Sequence, residues 1–129
     1  MTTKNAGCVV LADRHYGVAE GVRGLLETMF DVVVTVADEA SLGESASRLD
    51  PALAIVELTL SPGERLAWLT RLHARCPGLK VIVLSVHDEP SVRQATLAAG
   101  ASGFVVKRAI ATELLPAVET VLAGRRYPA

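Results

Sequence analysis

Aromatic side chains are scarce in this chain: one Trp, two Tyr and two Phe, 4% of 129 residues. Half of the residues are hydrophobic all the same, so the core has to be aliphatic, built from Val, Leu, Ile and Ala. An excess of either charge is missing too. The 13 basic and 14 acidic residues leave a net charge of −1, which offers no electrostatic footprint to nucleic acid or to an anionic membrane. Cysteine is nearly absent. Cys8 and Cys76 make no disulfide framework and match no metal-ligand spacing, so both are expected as small buried apolar residues in a reducing compartment. No run approaches the length of a membrane span. The opening "MTTKNAGC" is short and polar, unlike a signal peptide. The expectation is a single cytoplasmic domain over 1–129, long enough to hold itself together with an ordinary core.

What is present is alternation. "CVVLA" (8–12), "VVVTV" (32–36), "LAIVEL" (53–58), "KVIVLS" (80–85) and "SGFVV" (102–106) are short apolar runs rich in Val and Ile, the composition of strands. Helical spacing fills the gaps between them. Val18, Val22, Leu25, Leu26 and Met29 share one helical face; Leu66, Leu69 and Leu72 share another, with Trp68 beside them as packing. Leu114, Leu115, Val118, Val121 and Leu122 make the last stripe, with Gly124 as its cap. The Ala-rich segments 39–49 and 90–99 complete five strand–helix repeats. Such repeats imply an α/β fold with a doubly wound parallel sheet, whose functional groups collect outside the carboxyl ends of the strands.

Charged and hydroxyl groups gather at those ends. Asp13, Arg14 and His15 follow the first strand, Glu57 and Thr59 the third, Ser85 and His87 the fourth, and Lys107 the fifth, three residues past Phe104. Glu57 closes an apolar run, where a carboxylate inside the core would be costly. Several chemistries are missing. No Gly-rich loop follows any strand, so a dinucleotide or P-loop nucleotide site is not expected. His15, His73 and His87 fit no triad order or zinc spacing and read as solvated rim or helix residues.

The constellation resembles the receiver domain of two-component response regulators. "VVLADRH" looks like the first strand with its acidic pair, "DPALAIVEL" like the segment leading to the phosphoacceptor aspartate, and "CPGLKVIVLS" like the fourth strand with its hydroxyl switch residue. "LAAGASGFVVK" is similar to the fifth strand with its switch aromatic and its lysine, and "VLAGRRYPA" is most like the NarL/FixJ subgroup, where a LuxR-type helix-turn-helix would follow. The resemblance implies a flavodoxin-like (βα)5 fold with strand order 2-1-3-4-5, and no DNA-binding domain is expected within 1–129. It also implies an acidic pair, an acceptor aspartate and a backbone carbonyl holding Mg²⁺ while a histidine kinase supplies the phosphoryl group.

By position, the acceptor here is Glu57, the acidic pair is Asp13 and Arg14, the carbonyl is that of Thr59, the switch residues are Ser85 and Phe104, and the lysine is Lys107. Asp13 and Glu57 formally cancel Arg14 and Lys107, so the pocket is neutral without a metal. Mg²⁺ is therefore not expected, Asp13, Glu57 and Thr59 being a vestige of its site, and the fork of Arg14 is expected to pair with Glu57, Asp13 or both. The extra methylene of glutamate is expected to carry the carboxylate outward, away from an in-line donor. Glu57 then either imitates a phosphorylated aspartate or serves as a structural partner of Arg14. The loop beyond it departs as well: Ser61 and Arg65 stand where the family places a Pro and a turn Gly, and "SPG" moves these to 62 and 63.

The expected role is a non-enzymatic signalling module that works by protein contact or as a homodimer, in transcriptional control, without binding nucleic acid or membrane by itself. Relatives use the fourth helix, fifth strand and fifth helix, or the first and fifth helices; Val92, Ala95 and Ala99 line one such surface, with Leu114 and Val118 on the last helix, and the sequence does not decide which of them are exposed. The competing readings are a receiver still phosphorylated by a kinase or a small phosphodonor, and one that senses a small molecule.

Overall fold

A computed structural model of the chain describes residues 7–128. Five parallel strands, β1 (Cys8–Ala12), β2 (Val32–Val36), β3 (Leu53–Glu57), β4 (Val81–Ser85) and β5 (Gly103–Val106), lie in the order β2-β1-β3-β4-β5. They alternate with α1 (Tyr16–Leu26), α2 (Glu39–Leu49), α3 (Ala67–Arg75), α4 (Pro90–Ala98) and α5 (Ile110–Leu122), the last entered through a 3-10 turn at Lys107–Ala109. This is the doubly wound sheet expected from the alternation, in the flavodoxin-like order that the resemblance implies.

The period of two along each strand sorts side chains to opposite faces. Val9, Leu11, Ile55, Ile82, Leu84 and Val105 pack with Val22, Leu26, Leu114 and Val118 of α1 and α5. Val10, Ala54, Val56, Val81 and Val83 pack on the other face with Leu42, Trp68, Leu69 and Phe104. Every residue of β3 and β4 is buried, as central strands covered on both faces require. Each large aliphatic side chain so buried contributes on the order of 1.5–3 kcal/mol. Trp68 is fully buried, and its indole N–H donates to the carbonyl of Leu58 at 3.0 Å, so it is packing, as expected, with its one polar atom satisfied.

Local signals place the ends of the helices. The Asp38 carboxylate caps α2 by accepting the Ser41 N–H at 2.7 Å, Pro90 opens α4, and Gly124 follows α5 with φ +89°. Two expectations need correction, those for Val18 and for the cysteines. Val18 is exposed and Ala19 takes its place inside, because α1 turns its buried face by one residue. The exposure left open for Leu114 and Val118 is decided: both are fully buried against the sheet and belong to the core. Cys8 and Cys76 are only half-buried free thiols, and burial pushes the Cys8 thiol up. The strand expected at 102–106 gains a neighbour: Phe104 N–H donates to the Tyr127 carbonyl at 2.8 Å and Tyr127 N–H to the Ser102 carbonyl at 3.0 Å, laying the segment after α5 along the outer edge of β5. The reading of "MTTKNAGC" falls mostly on residues 1–6, outside the described residues.

Candidate functional site

Three strands end in the same local device. The Asp13 carboxylate, one residue past β1, accepts the N–H of His15 at 2.8 Å. Glu57 at the end of β3 accepts the N–H of Thr59 at 2.7 Å. Ser85 at the end of β4 accepts the N–H of His87 at 2.9 Å through its hydroxyl. In each, a polar side chain satisfies the backbone donor two residues on, where the chain leaves the ladder and its amides would otherwise be orphaned. All three side chains are buried.

Each buried carboxylate is left with one oxygen for its neighbours. Asp13 Oδ2 lies 3.3 Å from Lys107 Nζ, an ion pair at the base of the pocket that lacks hydrogen-bond alignment. Asp13 Oδ1 also faces His15 Nδ1 at 3.2 Å. Glu57 Oε2 takes the hydroxyl of Thr59 as well as its N–H. Glu57 Oε1 makes no hydrogen bond; His15 Nδ1 at 3.9 Å and Arg14 Nε at 4.0 Å are its charged or chargeable neighbours. Asp13, His15 and Glu57 each present a donor atom within 4.8 Å of the others.

Two expectations about this rim change. Arg14 makes no fork: its side chain is 40% exposed and touches Glu57 only through Nε, at the limit of an ion pair. The longer side chain of Glu57 does not carry the carboxylate outward but folds it back onto its own loop, against Thr59.

The family model for the response regulator receiver domain matches residues 9–119, a stretch that contains every one of these residues. The chain belongs to this family. The transcriptional regulatory protein DegU of Brevibacillus brevis is 31% identical over 121 residues, 92% of this receiver and 51% of that protein. A two-component response regulator of the LuxR family from Aurantimonas sp. SI85-9A1 superposes with a TM-score of 0.86 at 27% identity, over 95% of this chain and 89% of that one. RcsB from Salmonella enterica serovar Typhimurium, bound to a promoter in the presence of the phosphomimetic BeF3-, superposes with a TM-score of 0.83 at 27% identity, over 97% of this chain and 63% of that one. The receiver thus spans about half the length of the curated relatives it matches.

Within the receiver, Asp13, Arg14, Glu57, Thr59 and Lys107 meet at one rim. Ser85 is 1% exposed with its hydroxyl engaged by its own turn, and Phe104 is 3% exposed, turned inward against α4 and the sheet. His15 is the residue that sequence reasoning missed. Expected to be solvated, it stays half exposed but stands over both carboxylates. A His two positions past an acidic strand end is the signal that could have found it, since a turn that returns its N–H to Asp13 also returns its ring. Among the described residues, no helix is long and apolar enough to cross a membrane.

Proposed function

We propose that this receiver signals without phosphoryl transfer, as a protein-interaction module in transcriptional control. The observation that carries the reading is the state of Glu57. One of its oxygens is taken by the N–H and hydroxyl of Thr59, and the other faces Arg14 and His15. An acceptor for in-line transfer needs a free oxygen aimed at the donor and a cation to gather the phosphoryl charge.

The residues present do not suit Mg²⁺, which takes hard oxygen ligands in near-octahedral geometry. Of the three side chains that converge, one offers an imidazole nitrogen, and Lys107 already holds Asp13. The formal charges of Asp13, Glu57, Arg14 and Lys107 sum to zero, so a divalent ion would add uncompensated charge. The same geometry favours the structural reading of Glu57 over imitation of a phosphorylated aspartate, because one carboxylate oxygen is held by its own loop and the other faces Arg14 and His15, not Ser85. Ser85 and Phe104 are both buried, with the Ser85 hydroxyl engaged by its own turn, and this reading has the switch they form unused.

Contact with a partner or a second copy is the output. Of the two surfaces the family uses, α1 with α5 is favoured. Residues 125–127 run along β5, and Arg126 donates to the Leu97 carbonyl of α4, which covers the α4–β5–α5 side. The test is intact mass after incubation with acetyl phosphate and Mg²⁺. The mass is expected to stay unchanged, and a gain of one phosphoryl group would overturn the reading in favour of a conventional receiver.

A further inference from the structure

Beside the carboxylate rim, between the segment joining β3 to α3 and one side of α4, lies a cleft of about 590 Å³. That is the size of a small-molecule site, roughly 300–1,000 Å³. Its apolar lining comes from Leu58, Leu66, Val92 and Ala95, and its cations are Arg14 and Arg65. The acid in the lining, Glu89, lies 3.8 Å from the ring of His87. Arg65 enters no ion pair and no side-chain hydrogen bond among the described residues, and Arg14 has only the 4.0 Å approach to Glu57.

The backbone of Arg65 is the second observation. Its φ is +52°, left-handed, one of two such non-glycine residues among the described ones. Side chains disfavour that region and glycine does not. The chain places glycine two residues earlier, at Gly63 with φ +84°, yet keeps a long cation at 65. Strain of this kind persists where the surrounding structure imposes it, and strained backbone gathers at ligand-binding segments. An unpaired guanidinium held over an apolar surface is complementary to an amphiphilic anion, since its planar fork matches a carboxylate.

We infer that this cleft binds a small organic acid, its carboxylate held by Arg65 and Arg14 and its apolar body lying along Leu58, Leu66, Val92 and Ala95. As the input to the domain, the ligand rests on the reading that Glu57 takes no phosphoryl group; as a binding site, it does not depend on that reading.

The test is a two-dimensional amide NMR titration of the whole chain with octanoate and with naphthalene-2-carboxylate, without phosphodonor or Mg²⁺. Naphthalene-2-carboxamide serves as the neutral control. Saturable shifts are expected at 58–66, 92–96 and Arg14, with the carboxylate binding at least about tenfold tighter than the carboxamide. The R65G variant is expected to melt at a higher temperature, because its turn is relieved, and to bind the acid about tenfold more weakly. Four results would overturn the inference. Neither acid saturates by about 10 mM, a range in which even weak binding is visible; the carboxamide binds as well as the acid; or R65G binds like the parent. Shifts that follow protein concentration and not ligand would assign the cleft to a second copy and overturn it as well.

Discussion

Two glutamates with arginines beside them sit on opposite terms in this molecule. At the surface between α2 and α3, Arg71 forks onto Glu39, Nε to Oε2 at 2.6 Å and Nη2 to Oε1 at 2.8 Å, and also reaches Glu64 at 2.5 Å. At the rim, Arg14 approaches Glu57 no nearer than 4.0 Å. The fork that charge counting places at Glu57 is built at Glu39 instead. Glu57 is 4% exposed, and a guanidinium forked onto it would have to give up its own water. Uncharged donors from its own loop, the Thr59 N–H and hydroxyl, hold one oxygen of that carboxylate with no second charge to desolvate. The difference teaches where the energy lies. Exposed pairs contribute little because water competes, whereas a buried carboxylate is costly to strand once a partner is gone.

Removing Lys107 is the strongest way to break this contrast. Asp13 is 3% exposed and Lys107 Nζ lies 3.3 Å from its Oδ2, so K107M leaves a buried carboxylate without its cation. The expected loss is about 3–5 kcal/mol in urea denaturation. Adding D13N to K107M is expected to restore much of it, since Asn still accepts the His15 N–H. A loss below about 1 kcal/mol would place the buried pair in the same class as exposed ones.

Thr59 sharpens the contrast at smaller scale. T59V keeps the shape and the backbone N–H but removes the hydroxyl donated to Glu57 Oε2. A hydrogen bond to a charged group contributes about 1.5–3 kcal/mol, and the lower end is expected here because Thr59 is itself exposed. Unchanged stability would mean that the N–H alone holds the carboxylate.

The layout of the fold was legible because strand runs and helical stripes carry their own periods, and the strand-end residues follow once the strands are placed. The contents of the rim were less so. Capture of a backbone N–H two residues on depends on turn dihedrals, which the Asp of "DRH" and the Ser of "SVH" permit but do not fix. The phase of α5 was ambiguous for a similar reason: Leu114, Leu115, Val118, Val121 and Leu122 make too wide a stripe to say which edge faces out. The structure buries Leu114, Val118 and Val121 and leaves Leu115 and Leu122 half-covered. The left-handed backbone of Arg65 was signalled only by its place at the family's turn Gly, not by the residue itself.

The smallest expected effect belongs to the exposed member of the pair. Hydrogen bonds from Arg71 hold the Glu39 carboxyl below its ordinary value of 4.5, with partial burial opposing and Ser61 adding in the same direction. A carboxyl lowered on folding stabilises the protein fully above its unfolded value, and that contribution disappears as pH falls through the folded one. E39Q is therefore expected to be slightly less stable than the parent near pH 7 and to converge with it as pH falls below the ordinary carboxyl value and through the lowered one. The gap at neutral pH should also shrink as salt is added, because both side chains of the fork are partly solvated. Thermal melts across that pH range decide the matter. A gap that persists in acid would mean that Glu39 acts through its packing between α2 and the loop at Ser61, and not through its charge.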